Sequence, residues 1–435
     1  MAVRFRRRWR YALAAVLLIG IVVGVVAWQL RASRRPAEWT VSIGYERLSA
    51  SSIDETSVLT IDGNNFVRRR SLEDGRILKP SPTDLPTRAS GLTFSPSEVI
   101  ETADGKRHVV GFTMESSRQQ LDYRVLSQRA SEVTGERIVG DAAHDKWFAL
   151  TDEGVVLVAK SGPNPMAYSS SNFEPSPDVA HLLTYARGDG WRPKLTVPDR
   201  VIVAVSRSGR YALAWRIVQS AKRHRDMGAL VRIEIATGRE QIILPRPVVA
   251  PVGPPSWTDF IARFLSDDRV LVVANGTDPT GATSEAVRGH VVLQLYRLAG
   301  DRWTLQASHT VTSKEHTSVS ELVCVGDYAV LPFSRTRDLP GAALQKLSLH
   351  VVHLRPSASR ERDASPDKRL TFGWNTTASF GTLIRTSGGK QFGDGAYWVQ
   401  VAAVPGGNTM LLGIYRHSGR ELSLLDLDRW REASE

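Results

Sequence analysis

The chain has 435 residues, 42% of them apolar and 23% charged, which suits a large folded core and excludes a disordered polymer. A single cysteine, Cys324, excludes an intrachain disulfide framework, a multi-cysteine zinc site and a CxxCH haem attachment. The formal charge of +11 is no argument for a nucleic-acid partner: residues 1–35 hold eight arginines and no acid, and taking those eight from the 56 basic residues leaves 48 against 45 acidic ones.

Residues 1–10 (MAVRFRRRWR) read as a basic cytoplasmic segment, and residues 11–30 as a transmembrane helix. No residue from Tyr11 to Trp28 is charged or strongly polar. About 20 helical residues at 1.5 Å each cross a hydrocarbon core of roughly 30 Å. Tyr11 and Trp28 stand at the two ends, where amphipathic aromatics prefer the interface. Arg4, Arg6, Arg7, Arg8 and Arg10 precede the run, and Arg31, Arg34 and Arg35 follow it. That asymmetry favours a cytoplasmic N-terminus and a C-terminal domain outside the cytoplasm, periplasmic or extracellular. The leading arginines suit anionic headgroups. A cleaved signal peptide is the rival reading, but the run exceeds the usual length of roughly 7–15 residues, and its small-residue site at Val25 and Ala27 lies inside it. Arg7-Arg8 is a poor match to twin-arginine export. Gly20 and Gly24 form G-x-x-x-G, a face on which two such helices would dimerise; the plainer reading is that glycine is common in membrane helices.

Residues 31–57 read as a linker with an early strand at 39–44, and residues 58–430 as one β domain. Short apolar runs rich in Val, Ile, Leu, Tyr and Trp alternate with Gly-, Asp- or Asn-containing turns, and no long window carries a 3.6-residue stripe. Val58–Ile61 leads through DGN into FVRRRSL, and Trp147–Leu150 through TDEG into VVLVAK. Val201–Val205 leads through SRSGR into YALAWRIV, and Leu230–Ile235 through ATGRE into QIIL. Phe264 precedes SDDR and VLVVAN, and Val291–Tyr296 precedes RLAGDR and WTLQAS. VAAVPGGNTMLLGIYRHSGRELSLLDL repeats the scheme near the end. Each is strand, tight turn, strand.

The turns recur. SRSGR (206–210), LSDDR (265–269) and CVGDY (324–328) begin 59 residues apart, and VPGGNT follows at 404–409. A second type, read as an exit turn, comprises LEDGRIL (72–78), VTGERIV (133–139), ATGREQI (236–242) and HSGRELS (417–423). A repeated four-stranded sheet cannot bury both faces alone, whereas sheets stacked around an axis bury them all. The segment SRSGRYALAWRIV…LVRIEIATGRE (206–240) resembles a blade of a WD40-like or quinoprotein-like β-propeller. The resemblance covers most of 58–428 as a pattern only. No blade shows the Trp-Asp ending with its Gly-His partner, and the regular Trp and Gly docking positions of quinoprotein blades are missing. It implies an all-β fold, a β-propeller of six or seven four-stranded blades preceded by one transmembrane helix. A two-domain division at the Pro-rich stretch 245–256 is the alternative, and a large β-sandwich a remoter one.

Long polar loops are expected at 161–178, 273–289, 333–347 and 355–368, positions where a propeller builds binding surfaces or tolerates padding. Chemistry is sparse. HExxH, the G-x-S-x-G elbow, the P-loop and the dinucleotide fingerprint are all missing. His350 and His353 lie three apart in LSLHVVHL, a strand, so they should face opposite ways and not share a metal. Asp62, Asp74, Asp152, Asp267, Asp268, Asp327 and Asp394 sit beside turns, where a carboxylate caps local backbone donors; a minority could converge at a central channel and bind a cation or sugar. Cys324 reads as a small buried hydrophobe on a strand, and the basic run Lys222, Arg223, His224, Arg225 as a solvated loop. No catalytic, cofactor or metal residue is therefore nominated. The expected function is a membrane-anchored, extracytoplasmic protein-binding or scaffolding platform working through the long loops, with no nucleic acid. The alternative is an enzyme (hydrolase, lyase or oxidoreductase) with its site at the propeller axis.

Overall fold

Runs of four to eight apolar residues make strands that are dry on both faces, and such strands demand cover from two sides. The computed structural model supplies that cover. It describes the chain from Ala37 to Glu435 apart from internal stretches, the longest being 162–178, 246–259, 276–289 and 357–369. The predicted helix at 11–30, with Gly20 and Gly24, lies outside the described residues. Among the described residues no helix is long and apolar enough to cross a membrane.

The described strands form seven antiparallel sheets. Sheet I comprises Trp398–Ala403, Thr409–Arg416, Gly419–Asp426 and, outermost, Ala37–Ser42. Sheet II holds Arg47–Leu48, Ser57–Ile61, Phe66–Ser71 and Thr83–Asp84. Sheet III is built on Leu92–Glu101, Arg107–Glu115, Gln120–Arg129 and Glu132–Glu136. Sheet IV comprises Ala143–Thr151, Gly154–Ser161, Val179–Ala186 and Gly190–Pro198. Sheet V comprises Arg200–Val205, Tyr211–Gln219, Arg225–Glu234 and Glu240–Leu244. Sheet VI comprises Phe260–Ser266, Arg269–Asn275, His290–Ala299 and Arg302–Thr312. Sheet VII is built on Val323–Val325, Tyr328–Leu339, Ala342–Pro356 and Leu370–Ser379, with shorter strands added at its ends.

Seven hydrophobic clusters join these sheets, each drawn from two that follow one another. Leu48, Val58 and Leu411 join sheets I and II; Ile61 and Val99 join II and III; Ile100 and Leu157 join III and IV. Leu182 and Val231 join IV and V, Trp215 and Val272 join V and VI, and Leu293 and Leu331 join VI and VII. Val351 and Leu412 join VII back to I, so the sheets close into a ring, an all-β propeller. Burying each such side chain fully contributes about 1.5–3 kcal/mol. The continuous apolar runs in the sequence are the middle strands, dry on both faces: Thr409–Arg416 is buried from Met410 to Tyr415. Outer strands such as Leu370–Ser379 are wetter and more polar.

Ring closure is made by the chain ends. Ala37–Ser42 pairs antiparallel with Gly419–Asp426, Val41 opposite Leu422. The segment expected as a linker with one strand thus enters the ring at Ala37 and supplies strands to sheets I and II. The two-domain division near 245–256 is replaced by a shared core, because Leu244 and Ala262, on either side of it, belong to one cluster. The predicted loop 333–347 is mostly strand. Tyr328–Leu339 and Ala342–Pro356 form one long hairpin, and its outer half is half-exposed, so it carries few of the apolar residues that mark a strand. The chain ends in a short helix, α1 (Leu427–Glu432), capped by the Asp426 carboxylate, which accepts from the backbone N–H groups of Asp428 and Arg429.

Candidate functional site at the propeller axis

From sheet III through sheets IV, V, VI and VII to sheet I the first strand of each neighbours the first strand of the next, so the turns from first to second strand gather round the axis. The periodic turns of the sequence are these turns. SRSGR lies between Val205 and Tyr211, SDDR between sheet VI's first two strands, CVGDY between sheet VII's, and VPGGNT between Ala403 and Thr409. TDEG, read in the sequence only as a hairpin turn, occupies the same place in sheet IV. A spacing along the chain becomes a rotation about an axis. The exit turns are less uniform. ATGRE joins third to fourth strand, HSGR joins second to third on the opposite face, and Glu132–Glu136 places much of VTGERIV within a strand.

The gathered turns bond to one another. The backbone N–H of Asp152 donates to the carbonyl of Arg207 at 2.7 Å, and Arg207 Nε lies 3.3 Å from Asp152 Oδ1. Ser208 donates to the Asp267 carboxylate at 2.8 Å, and Arg232 Nη1 to the Asp267 carbonyl at 2.7 Å. The Arg232 guanidinium stacks over the Tyr211 ring, 4.2 Å from its centroid. Between sheets VII and I, the backbone N–H of Asp327 donates to Asn408 Oδ1 at 2.9 Å. Gly326 permits this approach: its φ is +52°, and a Cβ there would collide with Asn408 Oδ1. Asn408 Nδ2 and the Tyr328 hydroxyl both donate to Asp428 in the first turn of α1, at 2.8 and 2.7 Å. The Asn408 bond first, then that from Tyr328 and the Arg431 charge, hold the Asp428 carboxyl below the usual range against a smaller desolvation effect. Burial first, then Asp428, pushes the Tyr328 hydroxyl well up.

Inside this rim is a cavity of about 700 Å³, lined from sheets I, II, IV, V, VI and VII. Its walls include Ile53, Leu150, Phe264 and Pro405, and its polar groups include Asp152, Arg207, Asp327 and Asn408. Leu150 is 47% exposed although it faces the molecular axis. A cavity of this size, with apolar side chains and polar groups mixed in its wall, has room for a small molecule or a short peptide segment.

Asp152 and Asp327 converge on the cavity. Asp267 is engaged by Ser208, Asp268 accepts from Ser266, and Asp74 serves its own turn by accepting from Arg76 N–H. Asp62 and Lys222, Arg223 and His224 lie outside the described residues. Cys324 lines the cavity, half-buried, and burial pushes its thiol up to about 12 against a weaker pull from Arg263, which disfavours the thiolate. Among the described residues no group of three or more His, Cys, Asp and Glu could hold a metal ion. His350 and His353 do face apart. His353 lies against Tyr328 and Arg431, while His350 Nε2 lies 3.1 Å from His309 Nε2 and its Nδ1 2.8 Å from Thr377 Oγ1. The His309–His350 pair sits on the seam between sheets VI and VII and has no local sequence signal, its members being 41 residues apart.

No family model matches this chain, and no curated protein does. Solved structures similar to it include β-propeller domains, a post-proline cleaving enzyme from Rickettsia typhi and a polysaccharide lyase. One is the β-propeller domain of Cps50 (Swd1) from Myceliophteria thermophila, 12% identical, covering 90% of this chain and 99% of that one with a TM-score of 0.39. Another is the WD40 domain of SCAP from fission yeast, 9% identical over 87% of this chain and 84% of that one, TM-score 0.38. A third is a polysaccharide lyase, an ulvan lyase, 10% identical over 91% of this chain and all (100%) of that one, TM-score 0.43. Identities this low carry no information about activity. With scores below 0.5, the propeller assignment rests on the seven sheets and their closure.

Proposed function

We propose that this protein is a membrane-anchored binding platform, held by residues 11–30, whose axial mouth receives a segment of a partner protein. The observation that carries the reading is the cavity itself. Six sheets contribute to it, its walls mix apolar side chains with polar groups in about equal measure, and several of its rim groups are already held by bonds between turns. A preorganised pocket of that kind loses little entropy when it is filled. The anchor rests on the uncharged run from Tyr11 to Trp28 and the arginines around it.

The test is site-specific photocrosslinking in native membranes, with the probe at Leu150 in the mouth or at Ser418 on the opposite face. A discrete adduct from Leu150, missing from Ser418 and abolished by Phe264→Asp, is the expected result. A second reading is favoured by one observation: two carboxylates, Asp152 and Asp327, share the cavity with the Arg207 guanidinium, a set that can supply acid, base and anion-stabilising groups. No mouth-specific adduct, together with turnover of a small substrate lost in Asp152→Asn or Asp327→Asn, replaces the platform by an enzyme with its site at the axis.

A further inference from the structure

We infer that the mouth face of the ring is its membrane-proximal face, and that the occupant of the mouth is an extramembrane segment of an integral membrane protein. The inference rests on the anchor proposed above. Its basis is register and reach. Ala37 pairs with Leu425 and Ser42 with Glu421, so the entering strand starts at one end of sheet I and runs away from it. That end is the mouth: Asp426 is opposite Thr409, the first residue after turn 404–408, and the N–H of Leu427 donates to the carbonyl of Asn408 at 2.9 Å. Asn408 lines the cavity.

Only residues 31–36 separate the apolar run ending at Leu30 from Ala37, and six residues span roughly 20 Å at most. The entry point is pinned, so the tether cannot lengthen by peeling. Trp39 Nε1 donates to the Leu72 carbonyl at 2.8 Å, Thr40 and Ser423 hydroxyls bond at 2.9 Å, and Glu38 pairs with Arg429 of α1 at 2.6 Å. The opposite face is farther by a strand length. Thr409–Arg416 has eight residues, about 27 Å. The mouth face also mixes its charges. Among the described residues Asp152, Asp327 and Asp428 stand with Arg207, Arg429 and Arg431, a mixed set that suits a protein segment from the bilayer better than a uniformly anionic headgroup layer.

The test uses the full chain in a Cys324→Ala background with one new labelling position, Ala433→Cys beside the mouth or Ser418→Cys opposite. Each labelled protein is reconstituted into phosphatidylcholine–phosphatidylglycerol vesicles that carry a headgroup nitroxide quencher. Both proteins should float with the vesicles, with the Ala433→Cys label quenched several-fold more than the Ser418→Cys label. Inserting about twenty Gly and Ser residues between Arg35 and Pro36 should remove most of that difference. A chain that does not float overturns the anchor and this inference together. Flotation with equal quenching, or with more quenching at Ser418→Cys, overturns the orientation and leaves the anchor standing. For the partner, the Leu150 adduct should form undiminished in membranes stripped of peripheral proteins by high salt before irradiation; its loss there overturns the assignment to a membrane protein.

Discussion

The two faces of the ring are built differently. At the mouth, turns of two to five residues in sheets IV, V, VI, VII and I are tied in neighbouring pairs by backbone and side-chain bonds, and α1 is clasped across sheets VII and I. On the opposite face the described strands end at Ser161 and Asn275, where two of the longest expected loops begin. Ties on that face include the Tyr415 hydroxyl, which accepts from Leu48 N–H at 3.1 Å and donates to Gln400, and the Arg420 guanidinium, which donates to the carbonyls of Tyr45 and Glu46, both beside the junction of sheets I and II. The difference teaches where the repeat is constrained. Turns that meet at an axis must fit each other, while connections on the far side are free to lengthen.

The seams run through both faces, so breaking a seam should have the largest effect and spare neither face. Trp215→Ala removes a fully buried ring between sheets V and VI and should lower stability by about 3–5 kcal/mol, read by urea unfolding. A loss under about 1 kcal/mol would mean the ring does not unfold as one unit. The mouth's own rigidity is tested by two glycines. Gly326 and Gly300 both have left-handed φ, +52° and +60°, but a Cβ meets Asn408 only at Gly326 and nothing at Gly300. Gly300→Ala should cost about 1 kcal/mol for backbone strain alone, and Gly326→Ala about 1–3 kcal/mol more, with weakened crosslinking from Leu150. Equal costs would show that the turns are not tied as described.

A pH series sharpens the comparison at the seam between sheets VI and VII. Burial first, then His309 and Arg335, pushes the His350 imidazole down to about 3, and burial also lowers His309. Because the folded value lies below the unfolded one of about 6.5, the neutral pair's stability is intact above that pH and is lost as pH falls toward 3. Between pH 7 and pH 5 the loss should be on the order of 1–2 kcal/mol, and His350→Gln should flatten it in denaturant titrations at the two pH values. The smallest effect on stability belongs to the mouth's exposed ion pair. Arg207→Ala should change unfolding by less than about 0.5 kcal/mol, since Arg207 and Asp152 are both mostly exposed, yet it should reduce the Leu150 adduct. A large stability loss would make Arg207 a structural rather than a binding residue.

Much of the hairpin framework was legible in the chain. Val201–Val205 through YALAWRIV, Phe264 through VLVVAN, and Val399 through Leu425 read directly, because strand burial on two faces leaves unbroken apolar runs and each turn needs Gly, Asp or Asn. The hairpin at 328–356 was not legible, since its outer half is half-wet and carries Arg, Thr and Gln. The site was legible only as spacing. SRSGR, LSDDR, CVGDY and VPGGNT recur, but nothing in them says that they meet, and TDEG reads only as a hairpin turn.

What the sequence determined by itself, then, is local: strand and turn chemistry, the repeat, and an apolar run at 11–30 flanked by arginine. The tertiary structure alone decided the closure of Ala37–Ser42 onto Gly419–Asp426, the convergence of Asp152, Arg207, Asp327 and Asn408, the clasp on Asp428 and the His309–His350 contact. The reason is sequence separation. A turn or an alternation is specified by neighbours a few residues away. Thr40 and Ser423 are 383 residues apart, and their pairing is set only when seven sheets have bent the chain into a ring.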